Sequence, residues 1–334
     1  MSKFSIILPV KNGGDYLKEC VQSILTQDYT DFNLIILENA STDGTVGYLH
    51  SVNDPRIILV PSSQPLSIEE NWERIVHVSK NEFMTIIGHD DLLDRQYLSV
   101  MNQLILEHPD AGLYQSHFNY IDKQGQLVRA CQPMPKLLLP EQIVEYFLTG
   151  RMDIMGTGFM TRARDYDAIG GIKPYPNLLF ADMELWIELA RKAYMSVSPL
   201  SCFSYRTHPA ATTSTSADNK VLNAFDQFID YLEKLGRRDQ RLATTIAQAS
   251  HTLLQQYCQG ITHKVLRTPH AQRLTPPVST IIDQFREYGR RLMTVPPFEP
   301  LQSGKVKLGK MIDGNAALHA LFLLFKRVYR RPVY

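Results

Sequence analysis

Cysteine is scarce and scattered: Cys20, Cys131, Cys202 and Cys258 lie far apart, and no Cys-x-x-Cys pair occurs in the 334 residues. A disulfide framework and a thiolate zinc site are thereby excluded as organising devices. The first 30 residues hold neither a basic start nor an apolar signal core, so a reducing, cytoplasmic setting is expected. No apolar run reaches the roughly 20 residues a bilayer demands. No G-x-x-x-x-G-K-S/T phosphate loop is present either. Net charge is only +1, but unevenly spread: Ser303–Tyr334 carries seven Lys/Arg against Asp313 alone, leaving the rest of the chain at −5. These basic residues cluster around one apolar helix without a recognised reading motif, so no nucleic-acid partner is expected.

What is present is organised around Phe83–Leu93. The apolar, strand-forming run Phe83–Ile87 stops at Gly88-His89-Asp90-Asp91. Two adjacent carboxylates at the end of a buried strand are costly unless a cation, a ligand or water meets them. In an open α/β sheet the carboxyl ends of the strands are where ligands bind.

The preceding chain alternates strand and helix. Ser5–Val10 is a near-continuous apolar run of parallel-strand type, broken by Lys11-Asn12-Gly13-Gly14. Asp15 is the expected N-cap of a helix through Leu17, Val21 and Ile24. Asn33–Leu37 predicts a second strand, ending at Glu38 and the polar turn Asn39–Thr45, and Arg56–Val60 a third. Ser67 and Glu70 stand at capping-box spacing before a helix through Trp72 and Ile75, and Asp94 is the expected cap of another ending near His108. Beyond Gly112, strands are expected at Leu113–Ile121, Gly156–Met160 and Val197–Tyr205, helices at Pro140–Leu148 and Leu179–Ala193, and turns at Asp122–Gly125 and Gly170-Gly171. After the Ser/Thr-rich loop Thr212–Ser216 the pattern becomes helical, with stripes such as Val221, Phe225, Phe228 and Leu232. The fold expected is α/β over residues 1–217, followed by a mainly α-helical region over 218–334. The helical stripes close either a core or an oligomer interface. A final helix from Ala316 into Lys326-Arg327 either packs on its own domain or lies on a membrane surface as a basic amphipathic anchor.

Four stretches in order, Ile7-Leu8-Pro9-Val10-Lys11-Asn12, Glu38–Thr45, Gly88-His89-Asp90-Asp91 and Phe180–Trp186, resemble the family 2 inverting glycosyltransferases of GT-A fold. The resemblance implies a Rossmann-like mixed sheet flanked by helices. It implies that Pro9, Lys11, Glu38 and Asn71 hold a nucleotide, with Asp90 near the ribose. It assigns Asp91 and His208 to a divalent metal, Mn or Mg, and makes Asp182 the catalytic base. The donor implied is a nucleotide sugar, a UDP-sugar in first place. The acceptor implied is a glycan or lipid-linked glycan in surface polysaccharide synthesis, at the inner face of a membrane. The sequence departs from the family pattern where Gly88 replaces an Asp, Glu38 replaces the commoner Asp, and Ala181 replaces a Glu.

The chemistry wants such residues. Sugar transfer develops negative charge on a leaving diphosphate, which a hard divalent cation on oxygen ligands neutralises. The acceptor hydroxyl loses its proton as it attacks, so a carboxylate must stand opposite the leaving group. One base and one displacement invert the anomeric carbon, whereas retention by double displacement needs a positioned nucleophile. Other readings stay open at this level. Asp90-Asp91 and Asp43 are also ordinary turn chemistry, and Lys11 and His208 also suit solvated loops. Asp182 and Glu184 both fit the outer side of an amphipathic helix, and only the family pattern chooses Asp182. Two other classes compete: a sugar nucleotidyltransferase, which Lys11–Gly14 matches poorly, and a glycosyltransferase-like scaffold without turnover, for which Gly88 speaks.

Overall fold

The computed structural model describes residues 2–207, 218–293 and 297–328. His208, the Thr212–Ser216 loop and the last six residues of the basic tail lie outside the described residues. Met1–Ile143 with Arg151–Thr215 forms one compact unit, and Val144–Gly150 with Ser216–Tyr334 a second.

The chain runs β1 (Phe4–Val10), α1 (Gly14–Leu25), β2 (Phe32–Glu38), α2 (Thr45–Ser51), β3 (Ile57–Pro61), α3 (Ile68–His77), β4 (Phe83–Ile86), β5 (Leu92–Leu93), α4 (Tyr97–Glu107) and β6 (Leu113–Ile121). It continues through β7 (Leu127–Ala130), β8 (Leu137–Leu138), α5 (Pro140–Leu148), β9 (Phe159–Arg162), α6 (Ala163–Ala168), α7 (Ala181–Ala190) and β10 (Met195–Arg206). The sheet order is β3-β2-β1-β4-β9-β6-β10-β5, with β7 on β6 and β8 on β10. β3, β2, β1 and β4 are parallel, whereas β9 runs antiparallel between β4 and β6. All seven residues of β1 are buried, as expected of a central parallel strand covered on both faces. The chain moves outward from β1 to β3, then returns to β4 on the other side of β1. That reversal is a topological switch point, and it opens a crevice at the carboxyl ends of β1 and β4.

Pro9 shows how the crevice opens without stranding a donor. The Ile7 carbonyl accepts from Ile87 N–H, so residues 7 and 9 turn their amide edges toward β4. Pairing with β4 has ended there, and proline has no N–H to leave unpaired.

Local signals held in part. The Ser67–Glu70 capping box forms in both directions. Gly170 and Gly171 both take positive φ. Asp15 is not a cap: Gly13 occupies that position, and Asp15 sits in the first turn paired with Lys18. Asp94 likewise builds the preceding turn, accepting from Gln96 N–H, while Gln96 is the N-cap residue of α4. Thr45, expected in a turn, begins helix α2. The strand expected at Gly156–Met160 is confined to Phe159–Arg162, leaving residues 156–158 as loop.

The second unit contains α8 (Asp218–Arg238), α9 (Gln240–Leu266), α10 (Val278–Leu292), α11 (Gly304–Asp313) and α12 (Ala316–Val328). Asp239 caps α9 by accepting from Arg241 and Leu242 N–H. The Phe225 ring stacks on Tyr257 at 4.7 Å and on Phe285 at 5.3 Å, tying α8, α9 and α10 into one aromatic core. No described helix is long and apolar enough to cross a membrane.

Candidate active site

The ends of β1 and β2 are laced into one polar edge. Asn12 and Ala40 take positive φ, which turns both loops back sharply. Asn12 N–H donates to Ser41 Oγ, Thr42 N–H to Asn12 Oδ1, and Gly13 N–H to Thr45 Oγ1. Asp43 accepts from the N–H groups of Gly14 and Thr45; hydrogen bonding from the Thr45 side chain first, and then from those amides, holds its carboxyl below the usual range, so it braces the loops.

Glu38 is buried at this edge. Its two oxygens accept from Ala40 N–H at 3.2 Å and Ser41 N–H at 2.6 Å, so its first task is to shape the loop. Asn39 pairs in both directions with the Leu66 backbone, and Lys11 Nζ donates to the same Leu66 carbonyl at 3.2 Å. Asn71, also buried, accepts from Arg74 and faces the Leu37 carbonyl. Arg74 reaches further, donating to the carbonyls of Glu38 and Val60. Thus Pro9, Lys11, Glu38 and Asn71 do converge on the ends of β1 and β2. Arg74 was not anticipated; its place one turn after Asn71 on α3 was the available signal.

At the end of β4 the turn Gly88–Asp91 closes with Asp91 N–H on the Gly88 carbonyl. A Cβ on Gly88 would lie 2.8 Å from Asp90 Oδ1 and 2.9 Å from Asp91 Oδ2. Both carboxylates therefore converge over Gly88, and the space a larger residue needs is already taken. Asp91 is buried, and burial together with the neighbouring Asp90 charge pushes its carboxyl well above the usual range. Arg206 N–H donates to Asp91 Oδ1 and the Thr157 hydroxyl to Oδ2, both at 3.0 Å. Arg206 itself is buried, donating to the Asp90 carbonyl at 2.8 Å and to Glu19 at 2.6 Å, with its guanidinium 4.5 Å from the Tyr16 ring centre.

This pair suits a divalent cation: hard oxygen donors converge, and two like charges in a desolvated place gain most from one. Among the described residues no group of three His, Cys, Asp or Glu is placed to hold a metal, so other ligands would come from the diphosphate, water or the undescribed His208.

Asp182 lies in the first turn of α7, after a backbone in which Asn177, Leu178 and Phe180 all take positive φ. Three such non-glycine residues within four mark a strained turn held by its surroundings. Glu69 accepts from Asn177 N–H at 2.7 Å, and the buried Tyr175 donates its hydroxyl to Glu184 at 2.6 Å. Glu184 is engaged by Tyr175, whereas Asp182 accepts from its neighbour's amide, Met183 N–H. That bond and the helix N-terminus favour the carboxylate, yet burial outweighs them and pushes the Asp182 carboxyl up to about 7.

Residues 155–158 join the two acidic centres. The Met155 carbonyl accepts from the buried Trp186 indole, a Cβ on Gly156 would lie 3.7 Å from Asp182 Cβ, and Thr157 donates to Asp91. Gly158 has φ +71, and a Cβ there would lie 2.5 Å from the Phe203 ring. A side chain at position 156 would thus touch Asp182, while its neighbour Thr157 bonds to Asp91. Thr157→Val, which keeps the shape and removes the hydroxyl, is expected to cost about 1–2 kcal/mol in thermal denaturation. Thr157→Ser is expected to restore most of it.

A parallel 3-2-1-4 core extended by a mixed sheet, with carboxylates gathered at the switch point, is the architecture of a GT-A glycosyltransferase. The sequence model described as glycosyl transferase family 2 matches residues 5–170, and the chain belongs to that family. Among curated relatives, the glycosyltransferase GlyG of Streptococcus pneumoniae is 26% identical over 36% of this chain and 41% of its own length. The uncharacterized glycosyltransferase YibD of Escherichia coli is 22% identical over 84% of this chain and 82% of its own. The matches span less than half the length of the first curated relatives. The crystal structure of residues 1–349 of S. aureus TarS with UDP-GlcNAc superposes with a TM-score of 0.64 at 14% identity, covering 98% of this chain and 93% of that one.

Proposed function

We propose that the protein transfers a sugar from a nucleoside-diphosphate donor, a UDP-sugar in first place, to a hydroxyl of a glycan or lipid-linked glycan acceptor, with inversion. We further propose a transferase domain over residues 1–217 and a helical region over 218–334, working on the cytoplasmic side in surface polysaccharide synthesis. The observation that carries the reading is Asp182: a carboxyl pushed up to about 7, one residue of loop away from the Asp91 contact. A base with that proton affinity is matched to proton transfer near neutral pH.

In this mechanism Pro9, Lys11, Glu38 and Asn71 hold the nucleotide, and Asp90 stands near the ribose. Asp91, with His208, would hold a Mn or Mg ion, which when bound supplies neutralising charge for the diphosphate. Asp182 as carboxylate accepts the acceptor hydroxyl proton while that oxygen bonds to the anomeric carbon. The bond from that carbon to the diphosphate oxygen breaks on the opposite face, and the nucleoside diphosphate leaves. Solved complexes of TarS with UDP-GlcNAc and with UDP favour uridine as the first nucleotide to try.

The test is thermal denaturation with UDP, GDP, dTDP or CMP, each with and without Mn. A ligand at about a hundredfold its Kd stabilises by about 2.7 kcal/mol. The expected result is a metal-dependent rise for one nucleotide that Asp91→Asn abolishes. No rise with any nucleotide would overturn the donor-site reading.

A further inference from the structure

The outer side of α12 and α11 is made mainly of apolar and basic residues. Leu318, Leu321, Leu324 and Val328 are exposed along one side of α12, spaced as successive turns of a helix require. The opposite side docks inward through the buried His319, which meets the Leu266 carbonyl, and through Phe322, whose ring lies edge-on to His263. On α11, Leu308 and Met311 are exposed beside Lys305, Lys307 and Lys310. A groove of about 530 Å³ lined by Leu266, Ile312 and Phe322 shares Leu308 with that face.

The charge that α11 and α12 themselves present to solvent is positive because their one acid is hidden. Asp313, the single carboxylate among residues 303–334, is turned away from solvent. It accepts from Val278 N–H at 2.7 Å and pairs with Arg273 and His270. Lys305, Lys307, Lys310 and Arg327 therefore meet solvent while Asp313, the one side-chain carboxylate of their own helices, is tied inward. Glu299 on the neighbouring turn, already paired with Arg286, is a carboxylate that faces Lys310, and Arg267 at the end of α9 adds to the positive sign.

We infer that this face seats the protein on an anionic lipid surface, with Leu321 and Leu324 entering the headgroup boundary and the lysines meeting phosphate groups. A basic helix with one apolar side and no length to span is built to lie in that plane. A second copy is the poorer occupant, since an isologous contact would set like charge against like charge. The inference does not rest on the transferase reading, because nucleotide binding is read separately.

The experiment is flotation of the full chain with vesicles of phosphatidylcholine alone or with about a third phosphatidylglycerol. The parent chain is expected to float only with the anionic vesicles and to be released by salt. Replacing Lys305, Lys307 and Lys310 by Ser is expected to weaken binding on the order of a hundredfold at low salt. Leu321→Glu with Leu324→Glu is expected to abolish it, with melting temperature unchanged because both sites are exposed. No flotation of the parent, or flotation indifferent to both variants, would overturn the inference. So would sedimentation showing that Leu321→Glu splits a dimer while vesicles are ignored.

Discussion

Asp182→Asn is expected to lower turnover about a hundred- to ten-thousand-fold while leaving the nucleotide-induced rise in melting temperature intact. The active form is the carboxylate, so kcat/KM in the parent enzyme should fall about tenfold per pH unit below about 7 and level off above it. The same substitution should raise stability. A carboxyl whose proton affinity is higher folded than unfolded keeps a proton that the unfolded chain releases, so stability is lost as pH rises from about 4 toward 7. Asn removes that cost. Asp182 keeps partial exposure, so the gain is set at about 1–2 kcal/mol at pH 8 and none at pH 4. Turnover within a few-fold of the parent, or a loss of stability at pH 8, would exclude Asp182 as base.

Arg206→Met should be the most damaging change outside the reacting groups, at about 2–4 kcal/mol by thermal denaturation. Methionine keeps the stem and the backbone N–H on Asp91, but not the bonds to the Asp90 and Lys123 carbonyls or the pairing with Glu19. Glu19 is half exposed and regains water, which keeps the cost below that of stranding a fully buried charge. Asp91 fares worse, losing the nearby positive charge that opposes its burial. The metal-dependent response to nucleotide should disappear with it. Arg206→Lys should restore little, since an ammonium cannot reproduce the fork. An unchanged melting temperature together with an unchanged nucleotide response would show that the turn holds itself.

The elements legible in the sequence were those whose cause is local. The apolar run of β1, the capping box of α3 and the abrupt end of β4 each lie within a few residues. α2 was hidden because Ser-Thr-Asp-Gly serves equally as turn and as helix entry, and only the bonds between the β1 and β2 loops decide. β5 and β8 have two residues each, and β7 is exposed throughout, so none carries a periodic signal. Within the site, Asp90 and Asp91 announced themselves by position. Helical period could not rank Asp182 above Glu184; the structure separates them by giving Glu184 to Tyr175 and leaving Asp182 desolvated. Thr157 carried no signal, because the partner that gives it meaning lies 66 positions away.

The loop of residues 155–158 runs past both acidic centres. A side chain at position 156 would meet Asp182, and Thr157 bonds to Asp91, so one peptide step, about 3.8 Å from Cα to Cα, ties the loop to both neighbourhoods. On the proposed function, loops that recognise an acceptor could then lengthen, shorten or change composition without moving that tie. The loop itself is held in place: Gly158 N–H donates to the Ile86 carbonyl, and a side chain at 158 would run into the Phe203 ring. On the proposed function, a change of acceptor would be a change of doorway, with this workbench left in place.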